Sequence, residues 1–320
     1  MAFHFAVESW APEYGAPVAG EITGQRVQPD VRLDVEFTER NWRPLDPPVQ
    51  PASEVLFVDG VQRVDARIWI TGDDGVPRPG LCASFAAGAV LCDGQATVQE
   101  PRVGRSVIAE LFGEAIDTGL VRYDPAPATA SAVETLMHEL EQQRRALEIQ
   151  ASQDAEAELV VLDGSLFERD RVPNAIGYLK SHEVTYVTGD AAKTIGALGA
   201  GQRTPIFLTK TSWSRYSWYL RLPCRRDHAW SGIVRCEAAS TLAFSAVQRL
   251  AGLSAATLPG FASEPHKDTR APQNLYPIAG LERDLRHRMG DQQLLYRSLR
   301  QAAALQPQVE VAATPMPFDS

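Results

Sequence analysis

The amino-acid sequence predicts an α/β fold, in which a mixed β-sheet is flanked by helices. Two observations support this prediction. Apolar runs at residues 55–58 and 159–162 each end in an aspartate, and short runs of this kind are typical of buried strands. Between them, one long segment repeats its apolar residues at helical spacing, and further strand and helix patterns follow it.

Composition sets broad limits on function. The 320 residues are 44% hydrophobic and 22% charged, as in ordinary globular proteins. A net charge of -9 excludes a surface that is basic overall, although a local basic groove is compatible with it. The four cysteines form no C-x-x-C pair, so neither a zinc site nor a disulfide framework is predicted. Because no signal-peptide pattern or membrane-length apolar run is present, we expect a cytoplasmic protein without membrane contact.

The first third of the chain is predicted to be an extension followed by strands. Residues 1–50 are rich in proline and polar residues, and we expect them to pack on the core as an N-terminal extension. Strands are predicted at residues 55–59 and 64–70 and within the segment LCASFAAGAVLC at 81–92. The segment PAPATAS is predicted to be the loop that precedes the next element.

The clearest helix is predicted over residues 132–151, with Ser131 and Glu134 forming a capping box at its start. The apolar residues of its buried face are Val133, Leu136, Met137, Leu140 and Leu147. The elements predicted after the strand at 159–162 are a helix at 174–180, a strand at 183–187, a helix at 191–198, strands at 205–210, 216–222 and 232–237, and helices at 239–251 and 281–303.

The order of these elements matches a ribonuclease H-like topology with additional C-terminal strands and helices. In that topology three antiparallel strands precede a helix, and a fourth strand lies beside the first. The ends of the first and fourth strands are then neighbours, so we expect Asp59 and Asp163 to lie side by side. The domain is predicted to span residues 51–305, with a C-terminal tail at 306–320.

Two neighbouring carboxylates predict a metal site. They repel each other, and one of them keeps its proton unless cations lie between them. Mg²⁺ and Mn²⁺ prefer oxygen ligands, and two such ions about 3.5–4 Å apart can activate water and stabilise the leaving oxygen in phosphodiester hydrolysis. Gly60 and Gly164 follow the two acids and leave room for a substrate. Taken alone, each Asp-Gly pair is also the ordinary turn after a strand.

A third acid is expected from the intervening helix. Glu134, Glu141 and Glu148 are seven residues apart and fall along one edge of its apolar face. Glu141 and Glu148 are the candidate metal ligands, because the C-terminal half of the helix leads into the strand of Asp163. For each glutamate, an ordinary solvated helix face is the alternative.

Two further segments carry candidate functional residues. The segment at 210–226 mixes basic and aromatic side chains, which can bind phosphates and stack unpaired bases. Its candidate DNA-binding residues are Lys210, Trp213, Arg215, Tyr216, Trp218 and Arg221. The alternative is an amphipathic strand whose aromatic residues lie in the core. The segment at 265–291 offers a further ligand or general acid: His266, Asp268, Asp284 or His287.

In this combination the sequence resembles the NurA nucleases of DNA end resection. The matching motifs, in chain order, are VDG at 58–60, a helix with a glutamate, DGSL at 163–166, NAIGYLK at 174–180, a near match to Y-x-R-L at 219–222, and Tyr276-Pro277 followed by Asp284. The resemblance covers residues 54–300. Many members have a histidine in the position of Asp284, and here His287 lies one helical turn further on.

The resemblance implies a ribonuclease H-like fold, a homodimer, Mn²⁺-dependent DNA cleavage (Mg²⁺ being the other candidate) and partnership with the hexameric translocase HerA. It implies that Asp59, the helix glutamate and Asp163 bind metal. Tyr276 and Asp284 complete the site, and Lys180 contacts phosphate or substrate. We therefore expect a two-metal nuclease that processes single strands and DNA ends in double-strand break repair.

Two alternatives from other classes stay open at this stage. One is a non-catalytic DNA-binding scaffold subunit of a repair complex, in which the acids are structural. The other is an ATP-binding phosphotransferase of the same superfold, although the sequence has no glycine-rich G-x-x-x-x-G-K-[ST] loop. Since an acidic protein binds DNA weakly by itself, we also expect slow, salt-sensitive cleavage unless a partner delivers the strand.

Overall fold

The computed structural model describes residues 4–7, 30–72, 74–110, 113–153, 156–180 and 185–306. It confirms an α/β fold with a large mixed sheet flanked by a few helices. In chain order the elements are β1 (His4–Val7), β2 (Asp30–Arg32), β3 (Val55–Thr71), β4 (Pro77–Cys92), β5 (Ala96–Glu110), β6 (Ile116–Asp117), β7 (Arg122–Ala128), α1 (Val133–Ser152), β8 (Leu159–Asp163), β9 (Ala175–Leu179), α2 (Gly189–Ala197), β10 (Phe207–Lys210), β11 (Ser214–Arg221), β12 (Ile233–Ala239), α3 (Phe244–Thr257), α4 (Tyr276–Arg288) and α5 (Gln292–Ala304).

The sheet order is β2-β10-β11-β12-β9-β8-β3-β4-β5-β7-β6, and β1 also pairs with β3. Strands β3, β4 and β5 are antiparallel neighbours, whereas β8 runs parallel to β3 and pairs residues 159–162 with 55–58. Beyond these pairs β3 and β8 separate, and β1 pairs with β3 only from residue 68 onwards. Asp59 and Asp163 are the first residues after the last β3–β8 pair, so the predicted adjacency of the two strand ends is confirmed.

The two faces of this part of the sheet pack on different helices. Successive side chains of a strand point to opposite faces. Val55 and Phe57 pack in the core cluster that includes residues of α3 and α4, whereas Leu56 and Val58 pack towards the end of α1. Asp59 therefore belongs to the α3–α4 face, and Gly60 belongs to the α1 face.

Several predicted elements differ from the structure. The predicted strands at 55–59 and 64–70 are one continuous strand, β3. The predicted helix at 174–180 is instead strand β9, because its apolar run pairs with both β8 and β12 and is buried between them. Of the strand predicted at 183–187, residues 185–187 are not in a strand, and the first two residues lie outside the described ranges.

Helix boundaries also differ. The helix predicted over 281–303 is two helices, α4 and α5, because Gly290 has a φ of +85° and Asp291 then caps α5 with its carboxylate. The predicted capping box at Ser131 does not form. Helix α1 begins after Ala132, and the hydroxyl of Ser131 bonds Glu110 instead.

The described parts of residues 1–50 contribute two strands to the sheet. Strand β1 adds to β3, and β2 adds to β10. Glu36 then accepts two hydrogen bonds from the guanidinium of Arg203, both of 2.8 Å. Burial opposes ionisation of Glu36, but the bonds from Arg203 and its charge outweigh burial and lower the pKa of this carboxyl. The predicted tail lies outside the described residues from 307 onwards.

No helix among the described residues is long and apolar enough to cross a membrane.

Candidate metal centre

Three carboxylates meet where β3 and β8 separate. Asp59 ends the paired part of β3, Asp163 ends β8, and Glu282 reaches the same point from α4, which packs on β3 and β4. One oxygen from each of the three lies within 4.8 Å of the other two. The two strand-end acids are therefore brought together as predicted, while the third acid comes from a helix near the C-terminus.

Asp59 is the most unusual member of this group. Its side chain is buried, with 5% of the residue exposed. Oδ1 accepts a hydrogen bond from the amide of Gly60 at 2.8 Å, but Oδ2 has no donor within the described residues. Burial raises the pKa of Asp59 well above its usual value, and the negative charge of Asp163 raises it further, against the opposing charge of Lys180. A buried acceptor without a partner is costly.

A divalent cation fits this donor set. Three carboxylates supply only oxygen ligands, which hard cations such as Mg²⁺ and Mn²⁺ prefer. An ion among them would give Asp59 Oδ2 the partner that the described residues do not supply, and it would offset the repulsion between Asp59 and Asp163. Asp59, Asp163 and Glu282 are the residues that would hold it.

Neighbouring polar side chains hold the ligands in place. Lys180 Nζ lies 2.6 Å from Asp163 Oδ2 and donates to Asn274 Oδ1 at 2.9 Å. Asn274 is fully buried, and its amide donates to Asp268 Oδ2 at 2.7 Å. Partners of this kind orient metal ligands and tune their basicity.

The same chain of contacts continues to Glu282. The backbone amide of Arg270 donates to Asp268 Oδ1 at 2.7 Å. The guanidinium of Arg270 forms a bidentate pair with Glu282, at 3.1 Å to Oε1 and 2.5 Å to Oε2. Asp163 and Glu282 are thus joined through one continuous set of hydrogen bonds, which fixes their relative positions.

Glu148 approaches the centre from the α1 face. A Cβ on Gly60 would lie 2.5 Å from Glu148 Oε1, so the glycine provides the space for this carboxylate. Glu148 is almost fully buried, and burial raises its pKa while Arg144 and Arg169 oppose the rise. Oε1 is bonded by Arg144, and Oε2 by Arg169 at 2.6 Å. Glu148 is therefore close to the centre, but both of its oxygens are held by largely buried guanidinium groups. Both oxygens of Glu282 are also bonded, by Arg270, but the Arg270 side chain is about half exposed and can be replaced by a cation at lower cost.

A second buried carboxylate, Glu237 on β12, supports the turn after Asp163. Its Oε1 accepts hydrogen bonds of 2.7 Å from the hydroxyl of Ser165 and from the amide of Leu166. A Cβ on Gly177 of β9 would lie 2.7 Å from Glu237 Cγ and 2.9 Å from the carbonyl oxygen of Gly164. The glycine of the AIGYL strand is thus required by the close approach of Glu237 and the turn.

Three other predicted site residues lie outside the carboxylate group. Glu141 pairs with Arg145 at 2.7 Å and is partly exposed. Asp284 pairs with Arg288 at 2.7 Å one turn further along α4. Tyr276 is the first residue of α4, and the ammonium of Lys267 lies 5.2 Å from the centre of its ring.

Of the other candidates from the segment at 265–291, Asp268 supports the centre and the two histidines do not belong to it. Asp268 belongs to the hydrogen-bond chain just described and supports the ligands through Asn274. His266 and His287 are exposed, and the ring of His266 lies 3.5 Å from Glu264.

Three of the six predicted DNA-binding residues in the segment at 210–226 lie inside the protein. Arg215, Trp218 and Arg221 are buried, which contradicts their predicted role. Arg215 lies 3.0 Å from Glu237, the indole of Trp218 donates to the hydroxyl of Ser254 at 3.1 Å, and Arg221 donates to backbone carbonyls. Because β11 lies between β10 and β12, these side chains fill the core and cannot contact DNA in this fold.

The remaining residues of that segment are more accessible. Lys210 is exposed at the end of β10, and Trp213 and Tyr216 are half-buried. Trp213 packs beside Phe167 with ring centres 6.0 Å apart, and Tyr216 packs on Phe244 at 5.6 Å. Lys180, also predicted to contact DNA, is bonded to Asp163 within the centre itself.

The residues that the sequence did not reveal are Glu282, Arg270, Asn274, Arg169 and Glu237. For Glu282 helical phase alone was not a sufficient signal. Helix α4 buries Leu281 and Leu285 against the sheet, and residues 282 and 284 flank that face on its two sides, both half-buried. The choice of Asp284 came from its spacing after Tyr276 rather than from this helical phase.

No protein-family model matches the chain, and no curated protein sequence matches it significantly.

Proposed function

We propose that this protein is a divalent-cation-dependent DNA nuclease of the NurA type. The main support is the group formed by Asp59, Asp163 and Glu282, in which a buried oxygen of Asp59 has no partner in the described structure. Three antiparallel strands, a helix and a fourth strand parallel to the first also follow the order of a ribonuclease H-like fold.

The residues of the centre have separate roles in this proposal. Asp59, Asp163 and Glu282 would hold Mn²⁺ or Mg²⁺, which would supply an activated water and stabilise charge on the phosphate during phosphodiester hydrolysis. Lys180 and Arg270 fix the directions of two of these ligands. Preorganised ligands of this kind do not need to rearrange when the cation or the substrate binds.

The substrate that we propose is DNA with single-stranded regions or ends. Arg286 is exposed and follows Glu282 by one helical turn, so it lies on the same side of α4 as this ligand. Arg286 offers a phosphate contact in a chain whose net charge is -9. From the NurA resemblance we further propose a cytoplasmic homodimer that receives its strand from a HerA-type translocase during double-strand break repair.

The first test is cleavage of end-labelled single-stranded DNA in Mn²⁺, Mg²⁺ or EDTA. The variants are Asp59→Asn, Asp163→Asn and Glu282→Gln, and Asp284→Asn is the matched control on α4. We expect cation-dependent cleavage that is lost in the first three variants and kept in the control. Cleavage that persists in Asp59→Asn and Asp163→Asn, or that is absent from the wild type under every condition, would overturn the proposal. DNA binding without cleavage would favour a scaffold, and ATP turnover would favour a phosphotransferase.

A further inference from the structure

We propose that the centre binds one divalent cation per chain, and that the ammonium of Lys180 supplies the second positive charge that another cation would otherwise provide. This inference rests on the proposed function, but it concerns the number of ions and the role of one side chain. From the sequence alone, two ions were expected.

The three carboxylates are arranged for a single ion. Ligand oxygens around one Mg²⁺ or Mn²⁺ at about 2.1 Å lie within roughly 4 Å of one another. The ligand oxygens of Asp59, Asp163 and Glu282 lie within 4.8 Å, so a small movement closes them around one cation. A second ion about 3.5–4 Å away would need a bridging carboxylate and further ligands of its own.

Lys180 is already bonded to the carboxylate oxygen that a second ion would need as a ligand. Its Nζ lies 2.6 Å from Oδ2 of Asp163, one of the two strand-end acids able to bridge two ions. The ammonium also donates to Asn274 at 2.9 Å, and Asn274 is fully buried and bonded to Asp268. Lys180 is therefore held between two fixed acceptors and is not a mobile surface side chain.

The other candidate ligand for a second ion is also engaged. Glu148 of α1 lies beside Gly60, but Arg144 bonds one of its oxygens and Arg169 bonds the other. Breaking either bond would leave a buried guanidinium or carboxylate without its partner, which is costly. The α1 face therefore has no carboxylate oxygen ready to receive a cation.

The net charge around the centre also favours one divalent cation per chain. Five carboxylates and four cationic side chains form the centre and its direct ion pairs. They are Asp59, Glu148, Asp163, Asp268 and Glu282, with Arg144, Arg169, Lys180 and Arg270. One divalent cation changes the net charge of this group from -1 to +1, which suits a phosphodiester. Two divalent cations would leave +3 in a partly buried site, with a high desolvation cost.

The third N–H group of the Lys180 ammonium is placed to contact the substrate. An ammonium has three N–H donors, of which Asp163 and Asn274 take two. Within the described residues the third has no acceptor, and it can donate to an oxygen of the phosphate that the cation would bind. Lys180 would then touch the substrate next to the ion and stabilise charge there.

The decisive measurement is the number of Mn²⁺ ions bound per chain, from isothermal titration calorimetry without DNA. The variants are Lys180→Met and the conservative Lys180→Arg. Lys193→Met is the matched control, because the ammonium of Lys193 also lies 2.6 Å from a carboxylate, that of Asp190, but on the exposed side of helix α2. Circular dichroism verifies that each variant folds.

We expect one Mn²⁺ per wild-type chain. Removing the nearby positive charge in Lys180→Met should tighten Mn²⁺ binding by about tenfold or more, yet lower the rate of DNA cleavage. Lys180→Arg should keep the wild-type Mn²⁺ affinity and recover part of the cleavage rate, and Lys193→Met should match the wild type in both.

Several results would overturn the inference. Two Mn²⁺ ions per wild-type chain, with cation-dependent cleavage intact, would remove it and leave the proposed function standing. A Lys180→Met variant that equals Lys193→Met in both Mn²⁺ affinity and cleavage would do the same. Absence of Mn²⁺ binding and cleavage in the wild type would overturn the proposed function together with this inference.

Discussion

Two buried carboxylates in the same sheet, Asp59 and Glu237, differ in how the protein satisfies them. Glu237 accepts hydrogen bonds from Ser165 and Leu166, and its other oxygen lies 3.0 Å from Arg215. Asp59 has one oxygen bonded to a backbone amide and one with no partner in the described structure, and two further acids lie beside it. Glu237 Oε2, like Asp59 Oδ2, accepts no hydrogen bond within the described structure, but the guanidinium groups of Arg215 and Arg235 neutralise its charge. A buried carboxylate with such counter-charges supports the fold, whereas one beside two further acids marks a candidate functional centre.

The largest expected effect is on cleavage. Asp59→Asn should lower the rate of cation-dependent DNA cleavage by at least about 100-fold, because it removes a charged ligand from the cation. Steady-state cleavage with saturating Mn²⁺ measures this. The paired acid tests the comparison, since Glu237→Gln should retain measurable cation-dependent cleavage under conditions in which it remains folded. Equal losses in the two variants would show that the two carboxylates do not differ in role.

The next effect is on the free energy of unfolding, which Glu237→Gln should lower and Asp59→Asn should raise. Glu237→Gln leaves two buried guanidinium groups, those of Arg215 and Arg235, without a counter-charge, so it should lower the free energy of unfolding by about 3–5 kcal/mol. Asp59→Asn removes an unpaired buried charge and should stabilise the cation-free protein. Urea denaturation in EDTA measures both. A stabilised Glu237→Gln variant would contradict the structural role of that pair.

The stability of the cation-free protein should also depend on pH through Asp59. Because its pKa is higher in the folded protein than the ordinary 3.8, the folded state holds a proton that the unfolded state has lost. The loss of folding stability caused by Asp59 is therefore absent below pH 3.8, the unfolded pKa, and it grows as the pH rises towards the pKa of the folded protein. The difference in Tm between Asp59→Asn and the wild type should increase with pH in EDTA, and Mn²⁺ should reduce it. A difference that does not change with pH would contradict the raised pKa.

A smaller loss of stability is expected at Gly177. The added methyl group of Gly177→Ala would meet Glu237 Cγ at 2.7 Å and the carbonyl oxygen of Gly164 at 2.9 Å. We expect it to lower the free energy of unfolding by about 1–3 kcal/mol and to weaken Mn²⁺ binding, since the turn after Asp163 must move. Gly196→Ala is the matched control, because the nearest atom there lies at 3.5 Å. Equal Tm values and Mn²⁺ affinities in the two variants would show that position 177 does not require a glycine.

The smallest effect concerns contacts with DNA. Arg286→Ala should weaken binding of single-stranded DNA in Ca²⁺ and should reduce the dependence of log K on log salt by about 1, as expected for one lost phosphate contact. Arg225→Ala is the control, since this exposed arginine belongs to the basic segment that follows β11. Fluorescence anisotropy at several salt concentrations measures both. If only Arg225→Ala weakened DNA binding, the DNA-binding surface would lie on that segment and not on α4.

Local patterns were sufficient for the parts of the site that are set by strand order. The apolar runs that end in Asp59 and Asp163, and the helix between them, predicted that the two acids would be adjacent. Parallel pairing of β8 with β3 then brings the two strand ends together. The run AIGYL was misassigned, because a five-residue apolar stretch is compatible with a helix or a strand until its neighbours are known.

The remaining features depend on tertiary packing. Whether Glu282 or Asp284 reaches the centre depends on how α4 is rotated against the sheet, which a one-dimensional spacing from Tyr276 does not encode. Likewise, β11 buries Arg215 because strands flank it on both sides and Glu237 lies within reach. The sequence by itself determined the α/β class and the two strand-end acids, because strand periodicity and element order are local properties. Only the tertiary structure decided the third ligand and which charges are paired, because both depend on distances between elements far apart in the chain.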